Sequence, residues 1–312
     1  MKKFAVIALT LALTASAACA GATTVGICQL VQHEALDAAT QGFSDALKAI
    51  LGEESVNIDV QNAAGDSAAC STIVNSFVSK KVDLIMANAT AALQAAYNAT
   101  AEIPVLGTSI TEYGVALGLN DFNGTVGGNV SGTSDLAPLT QQGDMILELF
   151  PQCKTVGLLY CSAEPNSEYQ VRVMEEYLGG KGIATERYSF SDTNDISAVA
   201  TAAAKASDVL YIPTDNTAAS CTGTISNIVL QEKVPVVAGE EGICSGCGVA
   251  ALSISYYDLG YKTGEMAAKI LRGEAKISEM PIEYAPAKKV YNAEMCAELG
   301  IEVPGDYEAI AK

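Results

Sequence analysis

Residues 82–109 read VDLIMANATAALQAAYNATAEIPVLGTS, and their pattern decides the fold. Leu84–Ala87 is an apolar run without polar alternation, the mark of a strand covered on both faces. Asn88, Ala89 and Thr90 interrupt it, and Ala91–Ala101 then reads as a helix. Pro104 follows that helix, and Val105–Thr108 opens a second apolar strand. Strand, helix and strand in so short a span make a β-α-β unit, whose strands run parallel.

The alternation continues in both directions. Upstream, Thr24–Leu30 (TVGICQL) is a strand, and Ala35–Leu51 a helix with Leu36, Ala39, Phe43, Leu47 and Ile50 on one face. Asn57–Gln61 is a strand, and Ser67–Lys80 a helix starting from Asp66, whose side chain suits an N-cap. Downstream, Thr155–Tyr160 (TVGLLY) repeats the pattern of TVGICQL, and the order starts again. Helices are expected at Gln141–Phe150, Glu168–Lys181, Ile196–Ala206, Thr217–Gln231 and Asp258–Leu271, with strands at Ala184–Ser189, Val209–Pro213 and Val234–Ala238. Short strands follow near Ile282–Tyr284 and Lys289–Tyr291.

The expected fold class is therefore α/β, with two similar doubly wound parallel-sheet lobes joined by a multi-strand hinge. One lobe takes residues 23–133 plus 254–284, the other residues 134–253 plus 285–312. Leu119–Asp135 (LNDFNGTVGGNVSGTSD) is rich in Gly, Asn and Ser and reads as the crossing segment.

The N-terminus reads as an export signal, residues 1–18, with Lys2 and Lys3 ahead of the uncharged run Phe4–Ala18. That run is shorter than the roughly 20 apolar residues of a spanning helix. Ser16-Ala17-Ala18-Cys19 fits a lipobox with Cys19 lipidated, although Ser stands where Leu is usual. Ala18-Cys19-Ala20 also fits ordinary cleavage before Gly21. The expectation is an exported protein, lipid-anchored at the outer face of the cell membrane or released in soluble form.

The formal charge is −18, and loss of Lys2 and Lys3 makes it two units more negative. A nucleic-acid partner needs a basic face and is excluded. With 49% hydrophobic residues but no Trp, aliphatic side chains must build the cores. Of the nine cysteines, Cys244 and Cys247 form a C-x-x-C in the glycine-rich stretch GICSGCG. That stretch reads as a loop with a local disulfide; free thiols and a redox or metal role are the alternatives. No second C-x-x-C accompanies it and His33 is the sole histidine, so no metal is expected.

Enzyme signatures are missing. No G-x-S-x-G surrounds a serine, and there is no P-loop. Gly124–Gly128 (GTVGG) lacks the strand–helix setting of a dinucleotide fingerprint, so no cofactor is expected.

Seven segments carry a resemblance: QLVQHEALDAATQGF, NAAGDSAA, VDLIMANATAALQAA, GGNVSGTSDL, LYCSAEPNS, YIPTDNTAAS and SYYDLGYKTGEMAAKIL. In that order the chain resembles the substrate-binding components of bacterial ABC importers, typified by tryptophan-binding proteins. The resemblance implies a type I periplasmic-binding-protein fold with three crossings and a ligand between the lobes. It also implies an aromatic amino acid as ligand and an ABC permease as partner; a monomer is the default for a protein that docks on a permease by both lobes. A ligand-sensing receptor of the same fold without a transport role is the alternative.

Ligands of open parallel sheets sit at the carboxyl ends of the strands. The candidates are the polar residues that follow each strand. In the first lobe these are Gln32 and His33, then Thr90, then Ser109 and Thr111. In the second they are Glu164, Asn166 and Ser167, then Thr214, Asp215, Asn216 and Thr217, then Glu240 with Glu241. Tyr256 near the return crossing suits stacking on a ring. Thr90 or Ser167 at helix starts suits a carboxylate. Asp215, Glu240 or Glu241 suits an ammonium, while Ser167, Asp215 and Thr217 also suit helix capping.

Overall fold

The computed structural model describes residues 22–310. The export segment and the proposed lipidation at Cys19 lie outside them. The first lobe runs β1 (Thr23–Gln29), α1 (Glu34–Leu51), β2 (Val56–Asn62), α2 (Ser67–Lys80), β3 (Leu84–Asn88), α3 (Thr90–Ala99), β4 (Val105–Ile110), α4 (Tyr113–Leu117) and β5 (Val130–Ser134). The second runs α5 (Leu139–Leu149), β6 (Thr155–Cys161), α6 (Pro165–Gly180), β7 (Ala184–Phe190), α7 (Ile196–Ala206), β8 (Val209–Ile212), α8 (Asn216–Ala219), α9 (Thr222–Glu232), β9 (Val236–Ala238), α10 (Glu241–Cys247) and β10 (Ala250–Ser253). The chain then returns through α11 (Tyr256–Leu271) and β11 (Glu283–Tyr284), and crosses again to β12 (Lys288–Tyr291), α12 (Ala293–Leu299) and β13 (Glu308–Ala309).

Two sheets result, in the orders β11-β5-β4-β3-β1-β2 and β13-β12-β10-β9-β8-β6-β7. Every named pair is parallel except β10 with β12. Strands in such a sheet need apolar residues on both faces, and β3, β4, β8 and β9 are buried along their whole length. Helices cover both faces, so the first sheet has one core on each side. All strands of the first sheet, and β6 to β10 of the second, point one way within their lobe, so their carboxyl ends collect at the cleft.

Three local expectations are corrected. The segment Leu119–Asp135 is not a free crossing, because its last third forms β5, in register with β4 at Val105 and Val130. Gly132 has φ +145°, and a Cβ there would lie 2.0 Å from the Gly107 carbonyl oxygen, so glycine serves close strand approach. The expected helix Thr217–Gln231 is two helices, broken at Ser220 and Cys221. The GICSGCG stretch is helix α10 up to Cys247 rather than a loop, capped by Glu240 and Gly248, and Gly246 lets it pack on α9, where a Cβ would meet Thr222 at 2.4 Å. Cys244 and Cys247 are buried free thiols, not a disulfide, and Cys247 Sγ donates to the Ile243 carbonyl at 3.3 Å.

The returning helix α11 is seated on α1 by glycines. A Cβ on Gly260 would lie 2.0 Å from the Ala39 carbonyl oxygen, and one on Gly42 would lie 2.1 Å from that of Tyr257. Neither obstacle is a side chain that can swing away. Gly260→Ala is therefore expected to lose about 3 kcal/mol or more by overpacking. Urea unfolding of this variant against wild type measures it; an unchanged midpoint contradicts the close seating of α11.

Candidate functional site

The two rows of strand ends face each other and enclose a cavity. From the first lobe it is lined by His33 and Leu36 around the start of α1, Ser109 and Thr111 at the end of β4, and Asp135 after β5. From the second lobe come Asn166 on α6, Thr214, Asp215, Asn216 and Ala219 around α8, and Glu240 after β9. Tyr256 of α11 closes it. The free volume is about 10 Å³, enough for a single water-sized group.

Most acids in and beside this wall are occupied by the protein itself. Glu164 Oε2 accepts from the Asn216 backbone N–H (3.1 Å), Asn216 Nδ2 (2.7 Å) and Asn166 Nδ2 (3.2 Å). Its Oε1 accepts from the Thr217 N–H and hydroxyl, both at 2.8 Å. Asp215 caps α8 through the Ala218 N–H (2.8 Å) and accepts from the Cys161 N–H at 2.6 Å. Glu240 caps α10 through the N–H groups of Gly242 and Ile243. These carboxylates fasten loops. Burial raises the carboxyl of Asp215, with the Glu164 charge adding to the effect, and burial pushes Glu240 up to about 7.

Asp135 is different. Its Oδ2 accepts from the Tyr256 hydroxyl at 2.9 Å, but its Oδ1 has no partner although the residue is only 3% exposed. Burial pushes its carboxyl up to about 6. Ser109 Oγ, Asn166 Oδ1 and His33 Nδ1 in the same wall are also buried and unpartnered. Buried polar atoms are nearly always bonded, so such a cluster marks a place built for something else.

The networks around these atoms fix their character. Asn166 Nδ2 donates to Glu164 and to the Thr214 carbonyl, which leaves Oδ1 as an acceptor. Asn216 Nδ2 is spent on Glu164, so its Oδ1 faces His33 Nε2 at 3.3 Å and receives the imidazole proton. Burial lowers the His33 pKa and keeps the ring neutral, so Nδ1 is an acceptor too. Three acceptors, one on a carboxylate, and one hydroxyl thus remain open in this cavity. No Lys or Arg lines it.

Backbone strain sits beside the cavity. Ala89 (φ +87°) and Ser109 (φ +56°) end the adjacent strands β3 and β4, and both are buried. Non-glycine residues persist in this region where the surroundings enforce it, often at ligand sites.

Of the residues anticipated from sequence, His33, Ser109, Thr111, Asn166, Thr214, Asp215, Asn216, Glu240 and Tyr256 line this cavity. Thr90, Glu164 and Thr217 instead line a larger neighbouring space of about 410 Å³, which Asn166 and Asn216 share. Ser167 is fully buried and lines neither. Gln32 is exposed and belongs to a separate surface groove with Gly242 and Ser245. Leu36, Asp135 and Ala219 were missed. Asp135 directly follows β5 and obeys the strand-end rule; it escaped because β5 was read as linker.

Among the described residues there is no group of three or more His, Cys, Asp or Glu placed to hold a metal ion. None of their helices is long and apolar enough to cross a membrane.

Two α/β lobes with a polar cavity between their strand ends define a two-lobe solute-binding protein of the type I periplasmic-binding-protein fold. The chain belongs to the ABC transporter substrate-binding protein family, whose model matches residues 24–312. It is 36% identical over 260 residues to the tyrosine-binding protein of Clostridioides difficile strain R20291, covering 83% of this chain and 75% of that one. It resembles the solved ABC domain in complex with L-Trp from Streptococcus pneumonia, with a TM-score of 0.88 at 32% identity, covering 93% and 100% of the two chains. The ligand-free, open substrate-binding protein CD0873 from Clostridium difficile gives a TM-score of 0.70 at 37% identity, covering 92% and 99%. The family is one of solute binders, not enzymes.

A carboxyl raised by burial takes up its proton more readily folded than unfolded. Asp135 therefore costs stability once both states are ionised, above about pH 6. Asp135→Asn is expected to raise the stability of the ligand-free protein at pH 7 by about 1–3 kcal/mol. The gain should vanish near pH 4, where the folded carboxyl is already neutral. Chemical denaturation at the two pH values checks this; an equal change at both counts against a strained carboxylate.

Proposed function

We propose that the chain captures an aromatic L-amino acid between its lobes and delivers it to an ABC importer. The observation that carries this is the set of open acceptors around a cavity of one water's volume: Asp135 Oδ1, Asn166 Oδ1 and His33 Nδ1. An ammonium group has that size, offers three N–H donors and neutralises the carboxylate. The Ser109 hydroxyl and the N-terminus of α3 at Thr90 offer donors to the ligand's carboxylate. Asp215, Glu240 and Glu164, already bonded to backbone, shape the wall and do not compete for the ligand.

A relative named for binding tyrosine and a similar structure solved with L-Trp support the aromatic class. The higher TM-score falls on the L-Trp complex although the open relative has the higher identity, which supports a closed arrangement of the lobes here. His33 and Asn216 then bridge the lobes. The protein acts as a monomer outside the cytoplasm, tethered by a lipid on Cys19, and presents both lobes to the permease.

Thermal melting of residues 21–312 against the twenty amino acids, with sugars and nucleosides as controls, tests the ligand class. Tyr, Trp or Phe at 100 times the dissociation constant should add about 2.7 kcal/mol of stability. Asp135→Asn should abolish that response while the protein still folds. A response only to sugars or nucleosides would discard the amino-acid reading.

Affinity should also depend on pH. The ammonium needs ionised Asp135, so binding is full above about pH 6 and weakens as pH falls through that value. The expected slope is about tenfold per pH unit below it. Calorimetry between pH 5 and pH 8 measures it; a flat profile removes Asp135 from the site.

A further inference from the structure

The inner cavity has room for the ammonium of an amino acid but not for a ring. We propose that the ligand's side chain lies in the larger space on the mouth side of Asn166 and Asn216, with Val31 and Ala163 setting which side chains fit. This rests on the reading of the inner cavity as the ammonium site.

Strand order supplies the direction. In the first sheet the inner cavity draws on the ends of β5, β4 and β1, and the larger space on the ends of β3, β1 and β2. In the second sheet the inner cavity draws on β9, β8 and the start of α6, and the larger space on β8, β6 and β7. Both lists move the same way, from the strands next to the crossings toward the free edges β2 and β7. Adjacent strands are about 4.8 Å apart, so one or two steps match the reach of an aromatic side chain from its α-carbon.

The lining fits that occupant. Leu30, Val31 and Ala91 of the first lobe and Ala163 and Pro165 of the second supply apolar lining from both sides, among polar residues such as Thr90, Glu164 and Thr217. A flat ring held between the lobes would meet apolar side chains from each of them. Gln94 and Asp192 also line the space. The volume of about 410 Å³ lies within the range of small-molecule sites. The chemical class is an aromatic side chain whose tip can carry a polar or bulky substituent, because the tip points away from the hinge.

The test compares L-tyrosine, L-tryptophan and O-methyl-L-tyrosine as calorimetric probes on the wild-type chain and on Val31→Trp, Ala163→Trp, Val31→Ala and Asp135→Asn. Wild type should bind O-methyl-L-tyrosine within about threefold of L-tyrosine. Val31→Trp and Ala163→Trp should each weaken the aromatic ligands by about tenfold or more. Val31→Ala, which removes bulk and keeps the fold, should shift preference toward L-tryptophan. Unchanged affinities in all three wall variants, or loss of O-methyl-L-tyrosine in wild type, would overturn the placement. If Asp135→Asn abolishes binding in that case, only the side-chain placement falls. If wild type binds none of the three probes, the ammonium reading falls with it.

Discussion

Bringing the carboxyl ends of two parallel sheets face to face buries polar groups that would otherwise be hydrated, and each must find a partner. The rest of the site depends on how this demand is met. Glu164 answers it five times, from the Asn216 and Thr217 backbone, their side chains and Asn166. Asp215 ties the end of β6 to the start of α8, and Glu240 caps α10. Each such bond contributes about 0.5–1.5 kcal/mol net, and more where the acceptor is ionised. The loops they fasten hold Asn166 and His33 with their acceptor atoms open. Rigidity in the wall is what permits unsatisfied atoms at its centre.

Much of the architecture was legible because parallel strands covered on both faces leave an unmistakable signal. LIMA at residues 84–87 and VLYI at 209–212 have nowhere to be except inside a sheet. The strand-end rule then found His33, Ser109, Asn166, Asp215 and Glu240, because topology alone brings strand ends together. It did not assign them their work. An acid after a strand looks the same in sequence whether it binds a ligand or caps a helix, and Asp215 and Glu240 spend both oxygens on backbone N–H groups. Three of those donors are the local cap amides of Ala218, Gly242 and Ile243, and only the Cys161 amide reaches Asp215 from far along the chain.

Glycine was the other source of misreading. In Leu119–Asp135 and GICSGCG a run of glycines suggested slack chain. Gly132 instead lets β5 lie against β4, and Gly246 lets α10 lie against α9. The same use of glycine seats α11 on α1 at Gly42 and Gly260. Missing β5 concealed Asp135, so a local error about chain flexibility became an error about the site. Composition records that a side chain is absent; only the packing tells whether freedom or closeness is the reason.

Asp135 follows β5, where the chain leaves the first lobe, and its partner Tyr256 opens α11, where the chain comes back. The site proposed for the ammonium therefore sits beside the crossings that join the lobes. A force applied at an axis exerts little torque, however strong the bond. Groups gripped further out, toward the free edges of the two sheets, act on a longer arm. The charged head of a ligand would then decide whether it stays, and its side chain would supply the leverage that shuts the lobes.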